Sequence, residues 1–94
     1  MLFAILNHDK PASLDLRMKT RETHLAYLRA AGDMLKLAGP LLDEAGESPA
    51  GSLLIVEADS LADARTFAAN DPYAKAGLFR SSTVTPWRQV FPEG

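Results

Sequence analysis

The sequence predicts an α+β fold in which strand, helix, strand, strand, helix and strand follow in turn, forming an antiparallel sheet with both helices on one face. Three observations carry this. The chain opens on the apolar run LFAILN, residues 2–7, bounded by the breaker-rich NHDKPAS. Helical periodicity then runs from about Ser13 to Lys36. Two β-rich runs, SLLIVEA and STVTPWRQVF, bracket a second, shorter helical segment.

The first run is apolar at odd and even positions alike, the pattern of a strand covered on both faces. In the long helix, Ser13 stands at the N-cap and Asp15 in the first turn suits the helix dipole. At about 100° per residue, Leu14, Leu25, Leu28, Gly32 and Leu35 share one arc with Met18 at its edge, while Asp15, Lys19, Glu22, Thr23 and Asp33 lie opposite. Gly39-Pro40 interrupts a second extended piece over residues 37–42, and DEAGESPAG is the loop that follows. The third strand is Ser52 to Ala58. Ser60 caps the next helix, with Asp63 three residues on as a weak capping box, and Leu61, Ala64, Phe67 and Ala68 form its packing face. Asp71-Pro72 opens a further helical turn: Asp caps free N–H groups and Pro fits the first turn. The last strand spans residues 82–91, and Pro86 inside it implies an edge position or a bulge.

This order is the ferredoxin-like arrangement. In a two-layer fold the helices cover one sheet face only. The first and third strands are apolar on both faces, so a second copy is expected to cover the other, making a homodimer with sheets face to face.

The 94 residues suit a single domain, 1–94, of a size that gains stability by oligomerising. A net charge of −2, with the ten Lys and Arg spread along the chain, gives no footprint for nucleic acid. With no cysteine there is neither a disulfide nor a thiolate nucleophile. MLFAIL lacks a basic leader and a cleavage site, and no apolar run approaches membrane-spanning length, so a cytoplasmic protein without membrane contact is expected. Two histidines without H-x-x-x-H spacing predict no metal, and the absence of G-x-S-x-G, Walker and dinucleotide signatures predicts no cofactor.

Arg17, Arg21 and His24 depart from the amphipathic pattern. Spaced i, i+4, i+7, they stack along one stripe: Arg21 points from the apolar arc itself, and Arg17 and His24 from its flank. Either the long arginines snorkel to the surface and His24 is structural, or a water-filled, partly buried pocket lies beside the first half of the helix.

The segments RMKTRETHLAYL, AGPLL, GSLLIVEADSLADARTFAANDPYAKAGLF and VTPWRQVF resemble, over essentially the whole chain, the YciI-like (YCII-related) proteins. R-x-x-x-R-x-x-H-L together with D-P-Y-x-x-A-G carries the resemblance. It implies a ferredoxin-like subunit of the dimeric α/β-barrel superfamily and a His–Asp active site. The histidine is His24. The acid that best matches the motif is Asp71, and Asp9 in HDKP is the competing candidate. The superfamily includes muconolactone isomerases and small cofactor-free monooxygenases, and dehydrochlorinase-type chemistry is linked to the YciI-like group.

On this reading His24 is a general base, since imidazole changes charge near neutral pH. Asp71 accepts its other ring N–H and fixes the tautomer. Arg17 and Arg21 hold a substrate carboxylate or a developing enolate. Tyr73 donates a hydrogen bond or packs, and Asp9 joins the substrate-binding set if it does not pair with His24. The expected function is cofactor-free isomerisation or elimination, by a lyase or isomerase, on a small anionic or aromatic molecule. The alternative is a non-catalytic dimeric module that binds a small anion or a partner.

Overall fold

The computed structural model describes residues 1–93. Its elements are β1 (Leu2–Asp9), α1 (Leu14–Ala31), a single 3-10 turn (Gly32–Met34), β2 (Leu35–Leu42), β3 (Pro49–Glu57), α2 (Leu61–Ala69), α3 (Pro72–Lys75) and β4 (Phe79–Trp87). The strands form one antiparallel sheet in the order β2-β3-β1-β4, and the fold is ferredoxin-like. Among the described residues no helix is long and apolar enough to cross a membrane.

Backbone pairing moves several boundaries from where side-chain pattern places them. The first helix was expected to reach Lys36 but stops at Ala31, because Gly32 takes φ +58°, a conformation that glycine adopts freely. Leu35, expected on the helical arc, instead begins β2 opposite Val56. β3 starts at Pro49 rather than Ser52, since Leu42 and Leu41 extend the ladder to Pro49 and Gly51. β4 runs from Phe79 to Trp87 rather than over 82–91. Phe79 pairs with Asp9 past a register shift, and after Trp87, which faces Leu2, β1 offers no further partner. Pro86 lies on an edge strand, where a missing N–H costs no ladder bond. Ser60 caps α2 as expected, its Oγ accepting from the Asp63 N–H at 3.1 Å. Ser13 occupies the N-cap of α1, but its hydroxyl donates to the Pro11 carbonyl instead.

The core lies between the sheet and the helices. Phe3 and Ile5 of β1 and Leu54 and Val56 of β3 pack with Ala64 and Phe67 of α2, and Tyr27, Leu28 and Ala31 close it from α1. The expected apolar arc of α1 is therefore rotated. Leu14 and Met18 are exposed, and the fully buried side chains of this helix are Arg17 and His24. The opposite sheet face carries Leu6, Leu37, Leu53 and Trp87, and among the described residues no helix or strand lies over it. Strands β1 and β3 approach closely at Gly51, where a Cβ would sit 2.3 Å from the Asn7 carbonyl oxygen. Only glycine fits there.

Candidate functional site

The polar side chains that the core encloses converge on the first half of α1. Arg17 is 4% exposed and His24 7%. Burial at that level requires each to be partnered.

The partner of Arg17 is Asp9, at the end of β1. Its Nε donates to Asp9 Oδ2 at 2.7 Å and its Nη2 to Oδ1 at 3.2 Å. The same Nη2 donates to the Gly51 carbonyl at 2.8 Å and to Ser52 Oγ at 2.9 Å. Arg17 thus ties α1 to β1 and β3, and Asp9 is spent on this pair rather than on His24.

The partner of His24 is Asp71, which is 2% exposed. His24 Nδ1 lies 2.8 Å from Asp71 Oδ1. An ionised carboxylate only accepts, so Nδ1 carries the proton and Nε2 is the basic nitrogen. Asp71 also caps α3: the same Oδ1 accepts the Tyr73 N–H at 2.9 Å. One oxygen therefore serves both the turn and the imidazole. Pro72 in the first position of α3 completes the short turn that delivers Asp71 to α1.

Tyr73 is buried against both Arg17 and His24. Its ring stacks on the His24 ring at 3.9 Å between centroids and 17° between planes, and the Arg17 guanidinium carbon lies 4.5 Å from its centroid. Burial pushes the Tyr73 hydroxyl above its ordinary range, against the opposing charges of Arg17 and Arg21, so it is a neutral donor at neutral pH. Tyr27, absent from the sequence-based set, is raised by burial and then by the Asp71 charge, and its hydroxyl donates to the Phe67 carbonyl at 2.8 Å.

A pocket of about 260 Å³ opens beside this group. Arg17, Arg21, His24, Ser52 and Tyr73 supply its polar side, and Leu25, Leu28 and Leu54 an apolar wall. Arg21 is exposed and, among the described residues, makes no ion pair. The far rim comes from Ala38, Gly39, Pro40 and Pro49, which sequence reasoning did not assign to the site. For Ala38, Gly39 and Pro40 the one signal was the run of small residues in AGP, where a strand would ordinarily carry bulk. Among the described residues no three His, Cys, Asp or Glu side chains converge as a metal centre would require.

With this geometry in view, comparison with known proteins is informative. The sequence model of the YCII-related domain matches residues 1–88. Protein YciI of Escherichia coli O6:H1 is 37% identical over 98 residues, covering 97% of this chain and all of that protein. An uncharacterized protein of Haemophilus influenzae matches at the same identity and coverage. Among solved structures, the 5-chloro-2-hydroxyhydroquinone dehydrochlorinase TftG of Burkholderia phenoliruptrix AC1100, in complex with 2,5-dihydroxybenzoquinone, superposes with a TM-score of 0.91 at 36% identity, over the full length of both chains. SnoaB of Streptomyces nogalater, a cofactor-independent oxygenase, shares the fold at a TM-score of 0.59 and 11% identity, with 98% of this chain and 96% of that one covered.

Proposed function

The chain belongs to the YCII-related family, and on that footing we propose that it is a small-molecule enzyme, a lyase or isomerase doing acid–base chemistry on a small anionic ring beside α1. The observation that carries this is the buried His24–Asp71 pair in the wall of a ligand-sized pocket. A cavity of about 150 Å³ holds benzene, so about 260 Å³ suits one substituted ring. The leucine wall fits the faces of such a ring. Arg21 at the mouth, in no ion pair among the described residues, supplies the cation for its charged oxygen.

His24 Nε2 takes the proton. Asp71 holds the Nδ1–H, sets the ring orientation and stabilises the imidazolium that forms. Arg17 is committed to Asp9, Gly51 and Ser52, so its role is to hold the site together and add positive potential; anchoring falls to Arg21. For a chlorinated hydroxyhydroquinone, the substrate class of the structurally similar dehydrochlorinase, the balance is simple. One hydroxyl proton moves to the chlorine-bearing carbon, giving a dienone. His24 then withdraws a second hydroxyl proton as the C–Cl bond breaks and chloride leaves with the bonding pair. The net loss is HCl, and no oxidant is consumed.

The test is chloride release from 5-chloro-2-hydroxyhydroquinone, with 2,5-dihydroxybenzoquinone as the binding probe. Arg21→Ala is expected to weaken the probe by roughly 10- to 100-fold, the worth of one charge-assisted hydrogen bond. An Arg21→Ala protein that binds as tightly as the parent sinks the anchoring role. Tight binding with no turnover of this or related ring acids leaves the other reading, a module that binds a small anion without changing it.

The assembly we propose is a homodimer through the uncovered sheet face. Leu37 is 53% exposed there, and Leu6 and Trp87 each 37%. Light scattering is expected to give twice the chain mass, falling to the monomer in Leu37→Lys. A monomeric parent protein at tens of micromolar overturns it.

A further inference from the structure

Tyr73 has so far been a lining residue. Its contacts give it a more specific part, which rests on the acid–base reading above. The His24 ring lies 3.9 Å from the Tyr73 ring and nearly parallel to it, so the two rings stack face to face. The Arg17 guanidinium carbon lies 4.5 Å from the same centroid. The Tyr73 ring is braced in turn by Phe79, 6.2 Å away between centroids at 78°.

This arrangement supplies what the carboxylate alone does not. A single hydrogen bond from Nδ1 to Asp71 leaves the imidazole free to rock about the bond and to flip its nitrogens. A flat surface against the ring face removes the rocking and leaves room for one ring plane. Both constraints come from one turn: Asp71 takes the edge of the imidazole, and Tyr73, two residues on, takes its face. The Asp71 oxygen that holds Nδ1 also holds the Tyr73 N–H, so edge and face are registered to each other. Arg17 already draws on the π density of the same ring, so the contact acts through geometry more than through attraction for an imidazolium.

We propose that Tyr73 is a positioning residue for His24, its ring fixing the imidazole in the one orientation that gives Nδ1 to Asp71 and Nε2 to the pocket. The aromatic face carries the role, and the hydroxyl is dispensable to it. The imidazole contacts Asp71 from the turn before α3 and Tyr73 from α3, and Arg17 and Arg21 line the same pocket from its own helix.

Tyr73→Phe, Tyr73→Leu and Tyr73→Met separate face from hydroxyl. The readout is the ¹⁵N spectrum of the His24 ring in the ligand-free protein, at a pH where the ring is neutral. The parent and Tyr73→Phe should show the Nδ1–H tautomer alone. Tyr73→Leu and Tyr73→Met, which keep an apolar though smaller side chain without a flat face, should show mixed tautomers. In chloride release, kcat should fall on the order of 10- to 100-fold in Leu and Met with KM little changed, the usual cost of a misplaced group. A single tautomer in Leu or Met overturns the proposal. So does mixing in Phe, which settles the question even if the aliphatic variants do not fold. Because the spectrum needs no substrate, a parent protein that releases no chloride counts against the reaction and leaves the positioning result standing.

Discussion

Exchanging His24 for glutamine is expected to lower turnover of the chlorinated hydroxyhydroquinone by roughly 10²–10⁴, the share of one general base, with probe affinity held within about threefold. Glutamine is the informative replacement. Its amide can still donate to Asp71, so no carboxylate is left buried and alone, and the cap on the Tyr73 N–H survives. Alanine would mix the loss of a base with the cost of orphaning Asp71. The signature is a fall in kcat without a matching rise in KM, which marks an interaction made only as the proton moves. A fall of less than about tenfold would place the base elsewhere.

The largest expected effect on stability is at Arg17. Arg17→Met should cost about 3–5 kcal/mol, the range for removing one partner of a buried ion pair. Its partner Asp9 has a side chain only 7% exposed and would be left as an uncompensated charge. The Gly51 carbonyl and Ser52 hydroxyl lose their donor at the same time. Adding Asp9→Asn should return much of the loss by removing the stranded charge, leaving about 1–3 kcal/mol for the unmet carbonyl. Urea unfolding of the parent, both single variants and the double variant, at one protein concentration, closes the cycle. Strict additivity, or a loss below about 1 kcal/mol in the single variant, would show that the pair carries little.

The element order was legible because each run announces its period and each junction has a breaker. The boundaries were not, for identifiable reasons. Leu35 and Leu37 suit a helical arc and a strand equally, and only the pairing of Leu35 with Val56 decides. The end of β4 depends on where β1 starts, a fact that resides 85 residues away, at Leu2 opposite Trp87. In the site, the stripe of Arg17, Arg21 and His24 stood out because it broke the amphipathic pattern. Placing leucines inward by default then turned α1 the wrong way: the structure exposes Leu14 and Met18 and buries Arg17 and His24. The choice between Asp9 and Asp71 lay beyond sequence. Both carboxylates follow from the motif, and only the fold assigns Asp9 to Arg17 and Asp71 to His24. Ser52 and the small residues of β2 carry no chemistry until the sheet places them opposite α1.

Trp87 is the sole tryptophan, and it stands at the end of β4 on the sheet face turned away from the pocket. The intrinsic emission of this protein is therefore an optical gauge of that outer face. It responds when something settles on the sheet or when the edge strand peels away. Ligand chemistry at His24 proceeds on the other side of the sheet and reaches the indole only by way of the fold. A fluorescence titration that stays flat thus says nothing against occupancy of the site, and one that changes is first a measure of assembly.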